Sequence, residues 1–206
     1  MGSRPNPDRL RLEYAGSAAL AHEYPKWDLP EVAVAGRSNC GKSSLLNCVG
    51  GRADLARVSK TPGRTQRLHF FDEKALGFAL VDLPGYGFAR VSKQDRARFA
   101  AAVDAYLTNR PHLRGLVLLM DARRSPEEEE RLLAEFAAGR GIGLVMVATK
   151  IDKLGRGERL RRLRELDSAG LGHCVPFSSI SGEGRDDVVR AIRSLASGEM
   201  ENPGQV

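Results

Sequence analysis

Gly36-Arg37-Ser38-Asn39-Cys40-Gly41-Lys42-Ser43 decides the reading of this chain. The stretch fits the phosphate-binding loop pattern, a glycine, four intervening residues, then Gly-Lys-Ser. It stands between Glu31–Gly36, an apolar run with the character of a buried strand, and an amphipathic segment near 42–49. Its glycines let backbone N–H groups wrap phosphates, Lys42 reaches the outer ones, and the Ser43 hydroxyl, followed by Ser44, can bind Mg²⁺. An ordinary glycine turn is the competing reading, and the strand on one side and helix on the other weigh against it.

Outward from this loop, short runs rich in Val, Leu or Phe recur at 31–36, 68–71, 75–81, 115–121, 144–149 and 172–177. Amphipathic segments near 95–109, 127–138, 157–168 and 185–196 alternate with most of them. Ser92 with Asp95 resembles a capping box, and Ser125, Pro126 and Glu128 read as a cap, a first-turn proline and an acid. The alternation predicts an α/β fold with a mostly parallel sheet covered on both faces. The exception is the direct passage through Asp72-Glu73-Lys74, a hairpin that makes one edge antiparallel. A single domain is expected over 1–206, with a core at about 28–196, an N-terminal extension at 1–27 and a loose tail at 197–206.

Composition agrees with a globular chain: of 206 residues, 42% are hydrophobic and 28% charged, which excludes disordered and fibrous classes. The longest apolar runs, Leu116–Met120 and Gly143–Thr149, are far short of a membrane span, so no membrane partner is expected. The N-terminus lacks an apolar signal core, and Asn6 breaks the myristoylation pattern begun by Gly2. Cys40, Cys48 and Cys174 are odd in number and lack metal-ligand spacing, which fits a reducing cytoplasm. The net charge of +6, from 32 basic and 26 acidic residues, concentrates in 52–67, 90–98 and 153–164. Such blocks suit nucleic acid or a solvated helix face, and charge alone does not choose between them.

Three further segments end predicted strands. Asp82-Leu83-Pro84-Gly85 follows Val81, where a carboxylate can hold Mg²⁺ through water and a glycine can offer its N–H to a terminal phosphate. Asp-x-x-Gly is a weak pattern alone; its place one strand pair after the phosphate loop raises it. Thr149-Lys150-Ile151-Asp152 puts a carboxylate where it can accept both the ring N–H and the amino group of guanine, a donor pair adenine lacks. Phe177-Ser178-Ser179 completes the set.

In this order the segments resemble the five guanine-nucleotide motifs of the Ras-like, translation-factor class of P-loop GTPases. With Lys60-Thr61-Pro62-Gly63-Arg64-Thr65-Gln66, Asp82–Ala89 and Thr149-Lys150 in place of the commoner Asn-Lys, the chain resembles the EngB family over about 28–196. The resemblance implies a six-stranded mixed sheet with helices on both faces, and GTP hydrolysis with Mg²⁺. It implies that Thr65, with neighbours Gly63 and Arg64, is the switch threonine, joining Ser43 on Mg²⁺. From the residues alone Pro62-Gly63 is first a turn. Lys150 would lie along the guanine ring, Ser178 and Ser179 would support it, and Cys40 and Ile151 fill variable motif positions.

The family's role implies large-ribosomal-subunit assembly, with an older label of cell division and septation, and partners in rRNA and subunit precursors. A cytoplasmic monomer is expected, or an organellar copy in matrix or stroma. The expected catalytic residues are Lys42, Thr65, Gly85 and Asn39. Where many GTPases place a water-orienting glutamine after the Asp-x-x-Gly glycine, this chain has Tyr86, so intrinsic hydrolysis is expected to be slow. Resemblance to potassium-activated GTPases implies that the Asn39 carbonyl could hold K⁺; bracing the loop is the alternative. One rival is a nucleotide-gated rRNA-binding factor with negligible hydrolysis; another is a P-loop kinase, against which Thr149–Asp152 argues.

Overall fold

The computed structural model describes residues 9–56, 67–87 and 93–199, the side chains of 93–100 excepted. In chain order the elements are β1 (Leu12–Ala18), β2 (Glu31–Gly36), α1 (Lys42–Gly50), β3 (Leu68–Glu73), β4 (Phe78–Asp82), α2 (Lys93–Asn109) and β5 (Leu113–Asp121). They continue with α3 (Glu128–Gly139), β6 (Gly143–Thr149), α4 (Arg156–Asp167), β7 (His173–Pro176) and α5 (Arg185–Ser197). One seven-stranded sheet runs β1-β3-β4-β2-β5-β6-β7. Strands β4, β2, β5, β6 and β7 are parallel, and β3 is antiparallel to both β1 and β4.

The central strand explains the layering. Along β2, Val32 and Val34 enter one apolar cluster with Leu45, Leu46 and Val49 of α1 and Val188, Ile192 and Leu195 of α5. Ala33 and Ala35 point the other way, against Tyr106 and Leu107 of α2 and Ala137 of α3. A third cluster seats α4 through Leu166, with Met146 and Ala148 of β6. Strands buried on both faces read as unbroken apolar runs, as here.

Two expectations change. The sheet has seven strands instead of six, because the segment expected to be a loose extension contributes β1. Leu12 and Ala18 of β1 are buried, but the pairing with β3 slips between Tyr14 and Gly16, and this bulge erases the period-two alternation that marks a strand. The hairpin of β3 and β4 is therefore interior on its β3 side, and β1 forms the antiparallel edge. The cap of α3 also moves: its N-cap is Glu127, whose N–H donates to Glu130 Oε2 at 2.8 Å, in place of Ser125. Ser92 lies outside the described residues.

A buried carboxylate anchors the end of the sheet remote from the phosphate loop. Glu31, fully buried at the start of β2, accepts from Tyr106 (2.8 Å), Trp27 Nε1 (2.7 Å) and the Arg110 guanidinium (2.5 Å). A charge so buried persists only when its oxygens are satisfied, and here they bind the C-terminal end of α2 to β2.

Candidate functional site

The C-terminal ends of parallel strands β2, β4 and β6 open on one side of the sheet, and the loops leaving them meet there. The loop from β2 to α1 carries the phosphate-binding pattern. Asn39 takes φ +63 and Gly41 φ +112, both left-handed, where glycine fits freely and asparagine is among the few side chains tolerated. The loop closes onto the N-terminus of the nine-residue α1, whose free N–H groups and dipole favour an anion.

Gly85 presses on this loop. A Cβ there would stand 3.2 Å from Ser38 N and 3.1 Å from Lys42 Nζ, so a side chain would push into the phosphate seat. The Ser38 N–H donates to the Tyr86 carbonyl at 2.8 Å, which joins the two loops. Lys42 Nζ lies 4.0 Å from Asp82 Oδ1. Burial pushes the Asp82 carboxyl up to about 6, against the pull of the Lys42 ammonium. Oδ1 of Asp82 is buried with no hydrogen-bond partner among the described residues. A buried carboxylate oxygen left unpaired is costly, and a hydrated cation would relieve it. Ser43 and Asp82 are thus the residues that would hold Mg²⁺, whose charge would offset that of the phosphates.

The segment leaving β6 is held from two sides. Lys150, at φ +59, is a left-handed residue that is not glycine, and its Nζ donates to the Asn39 carbonyl at 2.6 Å and pairs with Asp121 Oδ2 at 3.1 Å. Burial works to raise the Asp121 carboxyl, but hydrogen bonds from Arg123 and Lys150 hold it below the usual carboxylate range. Ser178 Oγ donates to Asp152 Oδ1 at 2.7 Å, and this bond is the main reason the Asp152 carboxyl stays ionised below its ordinary range. The same Ser178 oxygen accepts the N–H groups of Ile180 and Ser181, so the turn after β7 fixes Asp152.

Some expected residues face elsewhere. The Thr149 hydroxyl donates to the Cys40 carbonyl at 2.6 Å, with the Met120 carbonyl 3.1 Å away, and so braces the phosphate loop from beneath. Leu83, Ile151, Phe177 and Cys40 bury their side chains in the apolar clusters, leaving only backbone for a ligand; Pro84 is buried as well, and Ser179 is exposed. Arg37 turns away to Glu127 Oε2 (2.6 Å) on the lip of α3. Gly36 and Ser44 hold the loop's two ends, at the close of β2 and in the first turn of α1. Gly63, Arg64 and Thr65, with the rest of 57–66, lie outside the described residues.

Three participants were not singled out by sequence. Asp121 ends β5 as Asp82 ends β4, and the same strand-end position could have marked it. Glu130 is buried on α3 and accepts from the Tyr86 hydroxyl at 3.0 Å; burial and that carboxylate push the Tyr86 phenol far up. Arg123 completes the Asp121 pair at 2.7 Å. A cleft of about 440 Å³ opens between the phosphate loop and the β5–α3 turn, lined by Arg37, Arg124, Lys150 and Glu130 among others.

The family model described as 50S ribosome-binding GTPase matches residues 31–150. The chain is 44% identical over 189 residues to the "Probable GTP-binding protein EngB" of Gemmatimonas aurantiaca, covering 89% of this chain and 92% of that relative. It is 44% identical over 182 residues to the protein of the same name from Latilactobacillus sakei, covering 86% and 90%. A crystal structure of a probable GTP-binding protein engB superposes with a TM-score of 0.67, over 82% of this chain and 99% of that one; at 20% identity the likeness is one of fold.

Proposed function

The chain belongs to the EngB family of GTP-binding proteins, and from that membership we propose that it is a GTP-hydrolysing switch acting in assembly of the large ribosomal subunit. The observation that carries the proposal is the meeting of four segments on one side of the sheet: the loop ending in Lys42-Ser43, Asp82 with Gly85, Lys150 with Asp152, and Ser178. In this reading Lys42 and the Gly85 N–H take the outer phosphates. Ser43, Thr65 and, through water, Asp82 hold Mg²⁺. Asp152 accepts guanine's two donors, Lys150 lies along the ring, and Ser178 with Ser179 supports it.

Hydrolysis is slow in this account. The Tyr86 hydroxyl is spent on Glu130, and a phenol buried in that direction cannot orient water over a phosphate. The side-chain amide of Asn39 is exposed and has no hydrogen-bond partner among the described residues, so bracing falls to its backbone carbonyl. That favours the K⁺ role over the bracing one for its side chain.

The family description as ribosome-binding and the net charge of +6 support large-subunit rRNA as partner, because Arg and Lys contacts to phosphate dominate RNA affinity. The protein then works as a monomer in the cytoplasm, or in the matrix or stroma of an organelle, and a role in division is secondary. Single-turnover GTP hydrolysis with and without large subunits tests the proposal. A rate near zero under both conditions favours the nucleotide-gated binding factor instead.

A further inference from the structure

The basic block at 153–164 divides in two once α4 is folded. Arg159 and Arg162 turn toward the body of the protein and are committed there. Arg159 pairs with Glu183 of the turn before α5 at 2.9 Å. Arg162 donates to the carbonyls of Ala122 at 3.1 Å and Arg124 at 2.5 Å, pinning the β5–α3 turn onto α4. These two arginines hold loops of the nucleotide site in place and cannot serve an outside partner without letting them go.

Arg156, Leu160 and Arg164 follow at four-residue steps and so share one flank of α4. All three are exposed, Leu160 at 55%, and among the described residues neither Arg156 nor Arg164 forms an ion pair. At about 100° per residue the acids Glu158 and Glu165 fall on the opposite flank. The stripe is therefore two cations about 12 Å apart with an apolar side chain between them. Asp167, three residues past Arg164, shares the flank, but its Oδ1 accepts the Cys174 N–H at 3.3 Å and among the described residues it pairs with neither arginine.

We propose that the Arg156-Leu160-Arg164 flank is an RNA-docking surface, each guanidinium on a phosphate and Leu160 against an unstacked base. The proposal rests on the rRNA reading above and says which face meets it. Charge complementarity supports it, since the fork of arginine is weakly hydrated and matches phosphate, and every basic residue of α4 is arginine. An exposed leucine set between the two cations suits the face of a splayed base, which any apolar surface can cover.

The test uses the full chain, salt-washed large ribosomal subunits, and rRNA extracted from them. The expected result is that Arg156→Gln with Arg164→Gln weakens binding to both probes about tenfold at 0.1 M salt and lowers the log–log salt slope by about 1.4, the share of two phosphates. GTP affinity and Tm stay at the wild-type values. Wild-type binding with an unchanged slope in the double variant would overturn the docking surface and leave the rRNA reading standing. Loss on intact subunits with full binding to extracted rRNA would overturn RNA as the occupant in favour of an acidic ribosomal protein. If wild type binds neither probe, the ribosomal reading falls and takes this surface with it.

Discussion

Lys150 Nζ sits 2.6 Å from the Asn39 carbonyl and 3.1 Å from Asp121 Oδ2, so one side chain ties the segment leaving β6 to the phosphate loop and to the end of β5. A lysine held at φ +59 carries backbone strain that its two contacts offset. Removing Lys150 should therefore loosen both halves of the site at once. Lys150→Ala is expected to weaken GTP and GDP by similar factors, of about tenfold or more, measured by titration calorimetry. A variant that loses only GTP would show that Lys150 acts on the terminal phosphate.

In the proposed reading, base selection rests on Asp152 and on the serine that aims it. Asp152→Asn should weaken GTP by orders of magnitude and transfer preference to xanthosine nucleotides, whose extra carbonyl suits an amide. Ser178→Ala removes a hydrogen bond to a charged acceptor, worth about 1.5–3 kcal/mol, and should weaken GTP about tenfold without changing base preference. Unchanged GTP affinity in Asp152→Asn would remove the guanine assignment.

Tyr86 and Glu130 are both largely buried and bonded to one another. Tyr86→Phe strands a buried carboxylate oxygen and should cost about 1–3 kcal/mol of stability, read as a lower Tm, while single-turnover hydrolysis stays within a few-fold of wild type. A hundredfold slower reaction at unchanged Tm would place the hydroxyl at the phosphate instead of on α3.

Hydrolysis measured in KCl and NaCl at equal ionic strength, for wild type and Asn39→Ala, separates the two roles of Asn39. The K⁺ reading expects a KCl preference in wild type that disappears in the variant. Equal rates in both salts would leave Asn39 as the residue that lets the loop enter its left-handed turn.

The three free thiols should differ in reactivity. Burial pushes the Cys174 thiol up to about 12 and raises the Cys40 and Cys48 thiols as well, but Cys48 is only half-buried and so the most accessible of the three. Cys48 should be the first to react with a maleimide at pH 8, with Cys174 reacting only on unfolding. Because the folded Cys174 keeps its proton where the unfolded chain loses it, its contribution to stability is complete below about pH 9. That contribution falls away as pH rises toward 12. Fast labelling of Cys174 in folded protein would contradict this.

Much of this site was legible because its chemistry is local. Gly36 to Ser43 must be contiguous for backbone N–H groups to wrap one phosphate, and Asp82 and Asp152 each follow an apolar run that can only be a buried strand. What stayed hidden depends on distance in sequence. Thr149 to Cys40, Tyr86 to Glu130 and Ser178 to Asp152 are pairs made by the fold, and nothing local in Tyr86 announces a buried acid 44 residues on. β1 was hidden for another reason, since its bulge at Tyr14 and Gly16 breaks the alternation by which an edge strand is recognised. The arginines of α4 show the same limit. Charge marked the block, and only its packing separates Arg159 and Arg162 from Arg156 and Arg164.

The most direct test of the central claim, a guanine-nucleotide switch on the large subunit, is cosedimentation with large-subunit precursors of the protein loaded with GDP or with a non-hydrolysable GTP analogue. The analogue-bound protein is expected to pellet with the precursor and the GDP-bound protein to stay in the supernatant. Equal pelleting in both nucleotide states, or in neither, would contradict it.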